Sequence, residues 1–209
     1  IGARHGSLSA LANRLPPGHV VLVLREPDDW ICSLYRQYLR RGGTGLFRDF
    51  VGPGGIVDPA FADYGRLVDE ATAAFEAPVS VCSYAGLKAD PRSFLEWIAA
   101  AVWDASAARE LVAGVPADAL AERANVGVRR LGARTVRRFN RLRRTRRWNP
   151  DGLVRWRGFE RLPWHLLAGI GPDVVEPADY EWLAECLAPH TDWPEWRGAF
   201  MNSPVIHHD

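Results

Sequence analysis

Residues His19 to Leu24 (HVVLVL) make a nearly continuous apolar run, rich in β-branched side chains and closed by Arg25-Glu26-Pro27. It lacks the apolar/polar alternation of a strand with one wet face. A run of this length and kind predicts a central parallel strand. After the turn at Pro27, Asp28 or Asp29 can cap a helix running to about Arg41, with Trp30, Ile31, Leu34, Tyr35 and Tyr38 as its apolar positions. Gly42 and Gly43 stop that helix.

The same logic continues downstream. Tyr64 to Phe75 has helical spacing, with Leu67, Val68, Ala71 and Phe75 inward. Val79 to Ser83 (VSVCS) predicts a second short strand, and Pro91 to Val102 a helix. Ser7 to Arg14 predicts a short helix before the first strand. Strands alternating with helices imply an α/β fold, a parallel sheet flanked by helices. Val128 to Trp148 keeps helical spacing through Val128, Leu131, Val136, Phe139 and Leu142, and Ala178 to Leu187 predicts a further helix. The His207-His208-Asp209 end reads as a disordered tail without metal-binding character. The 209 residues suit a single domain over 1–209, with a core at 1–102 and a helical, Arg-rich extension at 103–209.

Charge is unevenly spread. From Arg123 to Arg161 there are 14 Arg against Asp151 and Glu160, a local charge of +12 in a chain whose net charge is only +1. Such a segment is a candidate anion-facing surface. The rival reading is a solvated helix. Cys32, Cys82 and Cys186 are scattered without a CxxC pair, which predicts buried free thiols in a reducing compartment rather than a disulfide framework or a zinc site. No apolar run approaches the roughly 20 residues of a membrane span. The start has no charged-then-apolar leader, so a cytoplasmic location is expected. The chain opens at Ile1 rather than Met, and further residues upstream are expected.

The chemistry concentrates in Val20 to Tyr38, VVLVLREPDDWICSLYRQY. A strand ending at Arg25 projects a guanidinium at the carboxyl edge of a sheet, where ligands of open α/β sheets bind. The following helix start adds N–H donors, and Ser33, eight residues after Arg25, adds a hydroxyl. Guanidinium, hydroxyl and helix start together suit a phosphate monoester.

This strand-Arg-x-Pro-x5-Ser pattern resembles the 3′-phosphate-binding motif of sulfotransferases that use 3′-phosphoadenosine-5′-phosphosulfate (PAPS). The resemblance extends to Ser7-Leu8-Ser9, Tyr35-x-x-Tyr38, Asp58-Pro59 before the Tyr64 helix, and Ser83-Tyr84-x-x-Leu87-x-x-Asp90-Pro91. It covers roughly residues 1–102 and reaches the Arg-rich helix loosely. It implies a P-loop-type parallel sheet and gives Arg25 and Ser33 the 3′-phosphate. The implied activity moves a sulfuryl group from PAPS to a hydroxyl acceptor such as a carbohydrate or glycolipid, without a metal.

Two departures accompany it. The family's Lys-containing phosphosulfate loop has no counterpart: Gly42-Gly43-x-Gly45 and Gly52-x-Gly54-Gly55 carry no Lys, and Lys88 lies outside any such loop. The sheet would then be N-terminally truncated. Ala85 also stands where bacterial members often carry Glu. The family's base, a His or Glu, lies about 20 residues before the motif Arg. His5 is the candidate, offset by one from the Glu of bacterial members, which maps to Gly6. Arg129 and Arg130, after Asn125-x-Gly127, are the candidates for further contact with the nucleotide's phosphates.

Two rivals stand beside this reading. One is a non-catalytic polyanion-binding protein using the Arg-rich helix on acidic glycan or nucleic acid. Nucleic acid is the less favoured ligand, because only Phe139 and Trp148 interrupt the basic run as aromatics. The other is a different phosphate-handling α/β enzyme such as a kinase, which would also need a phosphate loop.

Overall fold

The computed structural model describes residues 4–14, 18–52, 54–101, 103–121, 130–142, 174–192, 195 and 205–208. Its fold is mixed α/β and mostly helical. Two compact units divide the chain: Ile1–Glu26, Ala62–Glu122 and Thr191–Asp209 form the first, Pro27–Phe61 and Arg123–His190 the second. No helix among the described residues is long and apolar enough to cross a membrane.

The first unit carries the sheet. β1 (Val20–Leu24) pairs in parallel with β2 (Val79–Ser83), in register from Val20 opposite Val79 to Leu24 opposite Ser83. β3 (Val205–His208) pairs antiparallel with β2, Val79 facing His208. The order β1-β2-β3 puts β2 in the middle. This corrects two expectations. The apolar run is a parallel strand but an edge one among the described residues, and Val23 is 43% exposed. The more polar VSVCS segment takes the centre, with Val79, Ser80, Val81 and Cys82 all buried. β1 is only partly buried along most of its length, so its apolar character fixes neither its place in the sheet nor the covering of both its faces. Likewise, the end of the chain reads as a tail when judged by His207-His208-Asp209 alone. Val205 and Ile206 before it are β-branched and suit a strand, and the second edge of β2 supplies the ladder.

One face of the sheet is covered by α4 (Tyr64–Phe75). Residues two apart on a strand share a face, so Val20, Leu22 and Leu24 align with Val79 and Val81. Against them pack Tyr64, Val68 and Ala71, at helical spacing, with Leu67 at the margin. Asp63 caps α4 by accepting from the Arg66 N–H at 2.9 Å, and Glu76 ends it in the left-handed region at φ 48°. α1 (Arg4–Ala12) lies on α4, with Leu8 reaching the same cluster. After β2 come α5 (Tyr84–Ala89) and α6 (Pro91–Ala100), the latter opened by Asp90, whose carboxylate accepts from the Ser93 N–H and hydroxyl. α7 (Ala105–Ala113) packs on α6 through Leu95, Ala99, Ala108 and Val112. Arg92 reaches across to the carbonyls of Val112 and Val115, at 3.0 and 3.3 Å. A short α8 (Ala117–Ala121) follows.

The second unit is built on α2 (Pro27–Arg40). The helix begins at Pro27, so Asp28 and Asp29 sit inside its first turn instead of capping it. Proline suits the first helical position, and carboxylates in the first turn suit the dipole. Tyr35 and Tyr38 project into an aromatic cluster with Phe47 and Phe50 of α3 (Phe47–Phe50). The Tyr38 hydroxyl accepts from the N–H groups of Thr44 and Gly45, at 3.0 and 2.9 Å, closing the turn after α2. Gly42 makes that turn at φ 103°, a conformation open to glycine. The Arg-rich helix α9 (Arg130–Leu142) docks on α2. Among its described side chains Val136 and Asn140, one turn apart, are buried. The Asn140 amide donates to the carbonyls of Leu39 and Gly43, at 2.7 and 2.8 Å. α10 (Pro177–Leu187) completes the unit; its Asp179 pairs with Arg48 at 2.7 Å, and its Trp182 lies under the Arg48 guanidinium.

Candidate functional site

Because β1 and β2 are parallel, their carboxyl ends lie at one edge of the sheet. Arg25 follows β1 there, and Tyr84 follows β2. The Arg25 guanidinium carbon stands 5.3 Å from the centroid of the Tyr84 ring. The Lys88 ammonium stands 5.3 Å from the same centroid. Tyr84 and Lys88 are four apart on α5 and so neighbour each other on its surface. The edge thus brings two cations to one aromatic ring.

Two hydrogen bonds fix the backbone at this edge. Tyr64 is only 5% exposed, anchored in the core beneath the sheet, and its hydroxyl donates to the Arg25 carbonyl at 2.6 Å. The Ser83 hydroxyl accepts from the Ala85 N–H at 3.1 Å and caps α5. Tyr64→Phe keeps the ring in place and removes the bond that holds the Arg25 backbone. Stability should fall by about 1 kcal/mol, the ordinary worth of such a bond, measurable as a lowered denaturant midpoint. An unchanged midpoint would mean that the core alone sets the position of Arg25.

The candidate residues distribute unevenly. Arg25 belongs to the first unit; Ser33, half-buried on α2, belongs to the second. His5 lies on α1. Arg130 opens α9, and Arg129 lies outside the described residues. Asp28 and Asp29 occupy the first turn of α2, so negative charge is already present at the helix start that a phosphate was expected to use. The cationic contribution therefore rests on Arg25 and its neighbours. Tyr84 and Lys88 were not among the expected site residues. The signal for them was present: an aromatic and a lysine four apart, directly after the second strand.

Other reactive groups are tied up structurally. The Tyr35 hydroxyl donates to the Gly45 carbonyl at 3.1 Å. Burial pushes this phenol up to about 12, although Arg137 beside it pulls the other way, so it stays neutral and cannot serve as a base near neutral pH. Cys82 points its thiol at the Leu22 carbonyl, and burial raises it to about 11. Its thiolate form is scarce, and with it any nucleophilic role. Cys32 is a second buried free thiol, while Cys186 is half-buried. His19 shares a 2.6 Å hydrogen bond with the hydroxyl of buried Ser80 and locks the entry to β1. No family model, no curated protein and no solved structure matches the chain.

Proposed function

We propose that the chain is the nucleotide-binding part of a PAPS-dependent sulfotransferase with a P-loop-type sheet. The observation that carries the reading is Arg25, which directly follows a parallel strand at the carboxyl edge of the sheet, within the strand-Arg-x-Pro-x5-Ser pattern. A guanidinium fork there suits a phosphate monoester, and the adjacent Tyr84 ring gives the site an aromatic wall. Ser33 takes the second 3′-phosphate contact on the strength of the sequence resemblance. Arg129 and Arg130 remain the proposed further contacts to the nucleotide.

The transfer balances without a redox partner. The acceptor hydroxyl oxygen bonds to sulfur, and the bond from sulfur to the 5′-phosphate oxygen breaks. The acceptor's proton passes to a base, for which His5 is the candidate, and adenosine 3′,5′-bisphosphate leaves. The protein's part is to hold the nucleotide and to stabilise charge on the transferring oxygens. The test is a titration with adenosine 3′,5′-bisphosphate against adenosine 5′-monophosphate, which lacks the 3′ group. Wild-type protein should prefer the bisphosphate by about tenfold or more, the worth of one charge-assisted bond. A ratio near one would remove the reading's main support.

A second reading is favoured by α9, where Arg134, Arg138 and Arg141 are exposed. A polyanion binder would hold heparin-like glycan with an affinity that falls steeply with salt, as released counterions dictate. Equal or tighter binding of single-stranded DNA would point that surface at nucleic acid. Binding indifferent to salt would refute both forms.

A further inference from the structure

α9 shows two kinds of surface to solvent. Its inner side is Val136 and Asn140, docked on α2. At about 100° per residue, Arg138 lies nearly opposite Val136 on the helix. To one side of Arg138 come Arg134 and Arg141, to the other Leu142, Thr135 and Phe139, and all six are exposed. Phe139 is 47% exposed and Leu142 53%. They are three residues apart, and so neighbours on the helix surface; the arginines, at spacings of four and three, are neighbours likewise. Arg134 pairs with Glu176 at 3.6 Å, a loose and exposed pair of little energetic weight. The sequence of α9 itself contains no acid. A free glycan or nucleic acid would use the basic flank and leave Phe139 and Leu142 in water. Leu142 has no flat ring to stack on a base. The two flanks together fit a surface that is anionic in its outer layer and apolar beneath. Arginine stems can lie along apolar material while the guanidinium stays at the charged layer, and a helix with basic residues beside Phe and Leu lies in the plane of such a surface.

We propose that α9 is a docking surface for an anionic lipid bilayer, with Arg134, Arg138 and Arg141 on the headgroups and Phe139 and Leu142 entering the boundary between headgroups and acyl chains. The helix keeps its place on α2 meanwhile, because Val136 and Asn140 face away from Arg138. The contact is peripheral and needs no spanning segment. It does not depend on the nucleotide reading, and it gives this helix a membrane in place of a polymer as its anionic partner.

The experiment measures co-sedimentation of the whole chain with vesicles of phosphatidylcholine alone and of phosphatidylcholine and phosphatidylserine in equal parts. Heparin and single-stranded DNA, free in solution, are the polymer comparisons, and circular dichroism checks folding. Wild-type protein should bind the anionic vesicles about tenfold or more tighter than the neutral ones, with the difference shrinking as salt rises. Phe139→Ser combined with Leu142→Ser should weaken binding to anionic vesicles about tenfold and leave heparin binding unchanged. Both side chains are already half in water, so this variant should stay folded. Phe139→Gln alone, expected to weaken vesicle binding about threefold, repeats the test with a single change. Arg138→Gln should weaken it about fivefold, the worth of one basic residue at an anionic surface. If the serine pair and Phe139→Gln bind anionic vesicles as wild type does, the apolar flank plays no part and the proposal falls. If neutral vesicles bind as tightly as anionic ones, the arginines play no part and it falls. If wild-type protein binds heparin or single-stranded DNA but neither kind of vesicle, the partner of α9 is a polymer and it falls.

Discussion

Arg25→Ala is expected to erase most of the preference for adenosine 3′,5′-bisphosphate over adenosine 5′-monophosphate. A charge-assisted hydrogen bond contributes about 1.5–3 kcal/mol, which corresponds to about 10- to 100-fold in affinity. The quantity to compare is the ratio of the two affinities within each variant, because effects common to both nucleotides cancel in it. Arg25→Lys should restore only part of the preference, since a point charge lacks the planar fork. Ser33→Ala should cost less, about 1 kcal/mol for one hydroxyl bond. The backbone at Arg25 is held by the Tyr64 hydroxyl and the ladder that ends at Leu24, so the alanine variant should remain folded. A ratio in Arg25→Ala equal to that of wild type would overturn the assignment.

Asn140→Ala should produce the largest loss of stability among the polar substitutions considered. The side chain is fully buried and its amide serves two carbonyls, Leu39 at the end of α2 and Gly43 in the turn beyond it. Removing the amide leaves the buried Gly43 carbonyl without that donor, at about 1–3 kcal/mol, and takes one bond of about 1 kcal/mol from the Leu39 carbonyl, which keeps the Gly42 N–H at 3.1 Å. A total of about 2–4 kcal/mol follows from that range, read as a shift in denaturant midpoint at unchanged slope. Asn140→Asp should do no better, because a carboxylate cannot donate and would face two carbonyl oxygens. A midpoint within experimental error of wild type would show that α9 is held by Val136 and its other apolar contacts alone.

Local pattern revealed the elements more readily than their arrangement. The helix Tyr64–Phe75 and the strand Val79–Ser83 fall where spacing and composition placed them, because propensity, capping at Asp63 and apolar periodicity all agree. α2 starts a residue or two before the cap expected at Asp28 or Asp29, since Pro27 can occupy the first helical position and leaves the aspartates inside. The edge position of β1 was not legible, because strand order depends on pairing between distant segments. The convergence of Arg25, Tyr84 and Lys88 was hidden for the same reason: Tyr84 and Lys88 are local neighbours, but their meeting with Arg25 requires β1 and β2 to lie side by side. In the sequence Asn140 is one polar residue on a charged helix, and the docking of α9 on α2 gives its amide two carbonyl partners.

The sheet also sets an order of events during synthesis. β1 emerges first, but its ladder partner β2 follows only after the whole stretch from Pro27 to Phe61, which belongs to the other unit, has been made. β3 comes later still, after Arg123–His190. A sheet whose strands are so far apart in the chain closes loops before it gains contacts, and such topologies fold slowly. Until β3 arrives, β2 has one ladder unfilled. Nascent chains halted before Val205 would therefore expose that edge of β2, the kind of surface that pairs with a neighbouring chain or calls for a chaperone.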